Sequence, residues 1–234
     1  MSGFCYAPEI IERYPDVTGG VIVLRDVQNQ PSPAVFSAIY EAEQKAIKQS
    51  IGSSSLAEIE SISAWRKAFR EFGVEPTQYR CSAESLLRRL TKKGDIPGIN
   101  LLVDIGNLIS IRHALPIAVM DTRAVEGQIT VKFADGSERY TELNDTEVKH
   151  PEPGEVVFVD DTGLVLARRW CWRQSEHSAT REDAKTVLVT IEAQHYRSKH
   201  LVQEAQADFI ELVTEYMPCS IVAGIVDRNR THMP

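Results

Sequence analysis

Three short segments carry side chains that could do chemistry. Asn100, Asp104 and Asn107 are spaced by four and three residues, so one face of a helix would present all three. Their neighbours Leu101, Leu102, Val103, Ile105, Leu108 and Ile109 are apolar. Buried polar groups without partners cost roughly 1–3 kcal/mol each, so these three either bind backbone in adjoining loops or frame a polar cavity. In "TVLVTIEAQHY", Val187, Val189 and Ile191 alternate with Thr186, Leu188, Thr190 and Glu192. The first set reads as the core side of a strand, which leaves Glu192 facing solvent or a pocket. The third segment is "LARRWCWRQS", residues 166–175. Read as one strand, it puts Arg169, Cys171 and Arg173 on one face, and Leu164, Leu166, Arg168, Trp170 and Trp172 on the other. A strand rise of about 3.3 Å per residue then separates the guanidiniums of Arg169 and Arg173 by about 13 Å. They would bracket an extended anion, hold separate acids or pair across strands, but not clamp one carboxylate. Neighbouring arginines lower a thiol pKa, which would favour Cys171 as a nucleophile, yet no sequence feature supplies its histidine base.

Common chemistries find little support. The six histidines, His113, His150, His177, His195, His200 and His232, lack zinc-ligand spacing, and the four cysteines form no C-x-x-C pair. There is no G-x-S-x-G elbow, Walker loop or G-x-G-x-x-G fingerprint. The expectation is a site with no metal and no cofactor.

The elements that must position these residues read as α+β. "GVIVLR" is a strand, and "SPAVFSAIYEAEQKAIKQS" a helix striped by Phe36, Ile39, Tyr40, Ala46 and Ile47 and interrupted by Glu43. Ser55 and Glu58 have capping-box spacing after the loop-like "GSSS". Trp65, Ala68, Phe69 and Phe72 line a helix ending at Gly73. Ser82 is placed to cap the next helix, where Leu86, Leu87 and Leu90 point inward and Arg88, Arg89, Lys92 and Lys93 elsewhere. Those four cations suit a helix C-terminus or an RNA-facing patch. From residue 115 onward short β-rich runs alternate with turns, which predicts a mainly antiparallel sheet or small barrel with flanking helices. "LVQEAQADFIELVTEYM" and "SIVAGIV" predict a last helix and strand.

The chain has 234 residues and a formal net charge of -7, enough for one sizeable core and too acidic for unspecific attraction to nucleic acid. We expect one domain over 1–234, without a signal peptide or membrane span. Its dispersed cysteines (Cys5, Cys81, Cys171 and Cys219) suggest reduced thiols of a cytoplasmic protein.

Several segments together resemble the B3/4 domain of the phenylalanyl-tRNA synthetase β subunit, and more closely the freestanding B3/4 proteins. "VDIGN" (103–107) is similar to V-D-I-T-N, and "LPIAVMD" (115–121) to Q-P-L-H-A-F-D. "EGQITVKFADGSE" is similar to G-x-I-x-V-R-x-A-x-x-G-E, and "TVLVTIEAQHY" to T-x-x-V-x-L-E-x-A-x-F. A tryptophan-to-arginine block over Trp65–Arg89, "P-x-I-N-x-L-V-D" and "R-R-W-x-W-R" are shared with the freestanding proteins. The resemblance covers roughly residues 60–200, leaving an N-terminal strand and helices in 1–59 and a helix and strand in 201–234. In the synthetase this domain hydrolyses tyrosine mischarged on phenylalanine tRNA. The resemblance therefore implies binding of an aminoacyl-tRNA end or a small amino-acid-like ligand, with possible hydrolysis of the aminoacyl ester. It implies a pocket role for Glu192, whose counterpart helps recognise the tyrosine hydroxyl, and a pocket or pocket-supporting role for Asn107 and Asp104. Two departures stand out: the synthetase histidine in H-A-F-D is Ala118 here, and its glycine-rich M-G-G strand is Trp170–Arg173. A non-catalytic RNA- or protein-binding module and a small-molecule enzyme on the same fold remain alternatives.

Overall fold

Alternating and helical apolar patterns sort the described residues into two main sheets, a two-stranded ribbon and six α-helices. The computed structural model describes residues 3–52, 54–196 and 198–233. In chain order come β1 (Phe4–Tyr6), α1 (Pro8–Arg13), β2 (Thr18–Arg25), α2 (Ala34–Ile51), α3 (Glu60–Glu71), α4 (Ser82–Lys93) and α5 (Leu101–His113). The β-rich half follows with β3 (Ile117–Asp121), β4 (Ile129–Phe133), β5 (Tyr140–Thr141), β6 (Val148–Lys149), β7 (Val156–Val159), β8 (Val165–Arg168) and β9 (Arg173–Gln174). It closes with β10 (Thr186–Ala193), α6 (Lys199–Tyr216), β11 (Ser220–Val226) and β12 (His232–Met233).

An antiparallel four-stranded sheet runs β11-β2-β10-β3, and a six-stranded sheet runs β12-β1-β4-β7-β8-β9, with β1 parallel to β4. The fold is α+β, and its sheets stay open: among the described residues neither closes into the barrel that the sequence left as an alternative. The reason is visible at β3, whose edge carbonyl at Val119 accepts from the side chains of Gln174 (2.9 Å) and Thr180 (2.8 Å) instead of a further strand. Among the described residues no helix is long and apolar enough to cross a membrane.

The central strand β10 feeds two cores. Val187, Val189 and Ile191 pack with α2, α4, α5 and α6, while Leu188 packs between the two sheets with α1 and α3. The alternation read from the sequence is therefore correct, but both faces are covered, and Glu192 lies on the inter-sheet side.

Two expected caps differ. Ser55 makes no capping bond; its carbonyl accepts from Glu58 N at 3.0 Å, closing a short 3-10 turn, and α3 starts only at Glu60. Cys81, not Ser82, occupies the N-cap of α4, and the Ser82 N–H, one of the first-turn donors without an intrahelical partner, donates to the Cys171 carbonyl at 2.8 Å. That bond docks the start of α4 on the β8–β9 turn.

Candidate functional site

The largest departure from the sequence reading is at residues 164–174. The alternation ends at Arg168, because Arg169 and Trp170 adopt left-handed backbone, with φ of 46° and 56°. The chain turns back, and Arg168 pairs with Arg173 across a hairpin. Each non-glycine residue in this region costs of order 1–3 kcal/mol and persists only when its surroundings fix it. Here they do. Trp170 N–H donates to the Val156 carbonyl (2.6 Å) and Arg169 N–H to Glu155 Oε1 (2.9 Å). The Trp170 ring is fully buried, edge-on to Tyr14 at 5.1 Å and Trp65 at 5.2 Å.

The turn brings the Trp170 indole onto Glu192. Trp170 Nε1 donates to Glu192 Oε1 at 3.0 Å, and the Tyr6 hydroxyl donates to the same oxygen at 2.6 Å. Glu192 is 2% exposed, and among the described residues no cation lies against it. Burial pushes its carboxyl up to about 7, with the two hydrogen bonds pulling it part of the way back. Burial and the facing carboxylate also push the Tyr6 phenol well above its usual range.

Room for that phenol comes from Gly19, which lies opposite Glu192 in the β2–β10 ladder. A methyl at position 19 would sit 2.5 Å from the Tyr6 oxygen. Gly19→Ala is expected to displace the phenol from Glu192 and cost about 1–3 kcal/mol in urea unfolding. In a Tyr6→Phe background the same substitution should cost less, since the clashing oxygen is gone. Equal costs in both backgrounds would refute this account of Gly19.

Glu192 forms part of the wall of a cavity of about 350 Å³. Asn107 from α5, Ser82, Ser85 and Leu86 from α4, Ala118 from β3, and Trp170–Arg173 also line it. The sequence-derived candidates thus divide. Asn107, Cys171, Arg173 and Glu192 come together at this cavity. Asp104 lines a different cavity, where it accepts from Ser32 Oγ (2.6 Å) and Ile99 N (2.8 Å) and is pushed upward by burial. Asn100 lies just outside the helix as the N-cap of α5. It accepts from Val103 N (3.2 Å) and Asn29 Nδ2 (2.9 Å) and donates to Thr180 O (2.9 Å). Asn100 therefore leaves the expected polar helix face, because helical geometry begins only at Leu101, while Asp104 and Asn107 stay on α5 and both lie beside Tyr40.

The hairpin also changes the two arginines. Arg169 stacks on Tyr79 at 3.9 Å and on Trp172 at 4.6 Å, and Arg173 stacks on Trp172 at 4.7 Å. Both converge on one indole instead of standing along a strand, and Arg173 is held by Glu142. The Cys171 thiol is pushed up, first by burial and then by the adjoining Cys81, against the lowering that neighbouring arginines suggested.

Of the basic residues of α4, Lys92 and Lys93 are exposed in its last turn, and Arg89 Nε donates to the Asp95 carbonyl at 3.1 Å. Spacings of three and four put Arg89 on the helix face that carries Ser82, Ser85 and Leu86. Tyr6 was not among the candidates, since nothing local links it to a carboxylate 186 positions away. Trp170 was read as packing alone; the positive φ that redirects it carries no glycine signal.

The family model described as "B3/4 domain" matches residues 64–215. The chain belongs to the B3/4 domain family. It is similar to the phenylalanine–tRNA ligase β subunit of Nitrobacter winogradskyi, with 37% identity over 83 residues, 36% of this chain and 10% of that protein. It is similar also to the β subunit of Streptomyces avermitilis, at 32% over 112 residues, 47% of this chain and 13% of that one. These matches therefore span about a tenth of the curated relatives' length. An N-terminal fragment of the phenylalanyl-tRNA synthetase β subunit from Pyrococcus horikoshii aligns over 99% of this chain and 54% of its own, with 11% identity and a TM-score of 0.48. Within this B3/4 domain, Ala118 and Trp170–Arg173, the two departures from the synthetase motifs singled out above, line the Glu192 cavity.

Proposed function

We propose that this B3/4 protein binds the aminoacyl end of a charged tRNA in the Glu192 cavity and hydrolyses the aminoacyl ester of a mischarged species. The observation that carries the proposal is a cation-free, buried carboxylate bordering a cavity that also holds Asn107 and Arg173. Membership of the B3/4 family and similarity to phenylalanine–tRNA ligase β subunits support the tRNA part.

Both protein donors bind Oε1, which leaves Oε2 as the oxygen for a ligand or water. With a pKa near 7, Glu192 can accept a hydrogen bond when ionised and donate one when protonated. Asn107 would orient the amino acid, and Arg173 with the α4 hydroxyls would meet the polar end. The basic residues Arg88, Arg89, Lys92 and Lys93 would lie along the approach of the RNA. Such a site works by positioning water and substrate, without a covalent nucleophile. Because Trp170 and Tyr6 already occupy Glu192 and Ala118 stands where the synthetase has histidine, the accepted side chain would differ from tyrosine.

The test is ester loss from a panel of correctly and incorrectly charged tRNAs. A mischarged member should be deacylated, and Asn107→Ala and Glu192→Gln should each slow this roughly 100-fold, as for loss of one positioned polar group. No ester loss on any member, or equal rates for wild type and both variants, would reject hydrolysis. Salt-sensitive tRNA binding without ester loss would favour a non-catalytic RNA-binding module.

A further inference from the structure

We infer that β11 is a self-association edge, through which two copies of this chain pair antiparallel and join their four-stranded sheets into one. The argument starts from how the other sheet edges end. β9 and β12 are two residues long, and β3 is capped by the side chains of Gln174 and Thr180. β11 is longer, and among the described residues its backbone accepts a single side-chain hydrogen bond, from Gln206 to Gly224 O. Its seven residues, "SIVAGIV", include no charge and no proline, and its register with β2 is unbroken from Ser220↔Arg25 to Val226↔Gly19.

An antiparallel edge strand turns alternate N–H and C=O groups outward, and natural sheets normally blunt such an edge with lysine, proline or a bulge. Ser220–Val226 make no backbone hydrogen bond outside the ladder among the described residues; Gly224 O accepts from Gln206 Nε2 at 3.1 Å. Val222 is 46% exposed, large for an apolar strand residue, and Ala223 beside it is exposed too.

Charge selects a second copy as the occupant. Beyond the end of β11 stands exposed Arg228, with Arg230 folded back beside Gly224, and before its start, in the last turns of α6, stand exposed Glu211 and Glu215. A two-fold axis through the middle of the strand lays the end of one β11 beside the beginning of the other. It therefore brings Arg228 of each copy towards the glutamates of its partner, twice per dimer. A strand of unrelated sequence would satisfy the backbone but not this reciprocal pairing.

Sedimentation velocity on the full chain at about 100 µM, well above a micromolar dissociation constant, tests the inference. Wild type should sediment at twice the chain mass. Val222→Lys, which places two lysines at the centre, should sediment as monomer with an unchanged melting temperature. Arg228→Glu should weaken the dimer at least tenfold, and adding Glu215→Arg should restore it. A monomeric wild type overturns the proposal. So does a dimer that both Val222→Lys and Arg228→Glu leave intact, which would place the contact elsewhere.

Discussion

Glu192→Gln is expected to gain about 3 kcal/mol of stability relative to wild type as pH rises from about 4 to about 8. The carboxyl moves from an ordinary value of 4.5 to about 7 in the folded protein, chiefly because burial disfavours the charged form. Between those values the folded chain holds a proton that the unfolded chain has released. The stabilisation carried by the protonated form is thus fully present below 4.5 and is lost as pH rises through about 7. At about 1.4 kcal/mol per pH unit, that interval amounts to about 3 kcal/mol. Glutamine keeps the shape and an oxygen for Tyr6 and Trp170 but does not titrate. Urea unfolding of both proteins across this range cancels all other titrating groups in the difference. Parallel stability curves would show that the Glu192 carboxyl is not held neutral by the fold.

The second large effect is at Trp170. Trp170→Ala should cost about 3–5 kcal/mol, the range for deleting a buried large aromatic, because its ring fills the space between Tyr14, Trp65 and Phe72. Trp172→Ala, in the same turn but half-buried, should cost clearly less. Trp170→Phe separates packing from hydrogen bonding: most of the ring stays, and the indole N–H is lost. That N–H lowers the Glu192 pKa, so Trp170→Phe should move the pH-dependent loss of stability to higher pH. A Trp170→Ala cost no larger than that of Trp172→Ala would remove Trp170 from its place as the keystone of the turn.

The sequence made some parts of this protein legible and hid others for physical reasons. The stripe Trp65, Ala68, Phe69 and Phe72 and the alternation of Val187 to Ile191 placed α3 and β10 correctly, since apolar periodicity reports which face is buried. Asn107, Cys171, Arg173 and Glu192 were also identified as candidates, and they meet at one cavity. The path of the chain between Arg168 and Arg173 was not legible. Left-handed turns normally announce themselves with glycine or asparagine, and here arginine and tryptophan take those positions. The extra bonds to Val156 O and Glu155 that fix them come from β7 and the residue before it, out of reach of any local pattern. Asn100 and Asp104 were grouped with Asn107 by spacing alone; one became a cap and the other a loop anchor facing a second cavity.

The phenol that reaches Glu192 belongs to β1, which lies between β4 from mid-chain and β12 at residues 232–233. During synthesis, therefore, the strand bearing Tyr6 acquires its second flanking strand only after residues 232–233 have been made. Its Tyr6 phenol waits likewise for the buried acid of β10, made 186 residues after it. Assembly of the cavity is thus a non-local event in folding, and it ties Glu192 to strands far from it in sequence.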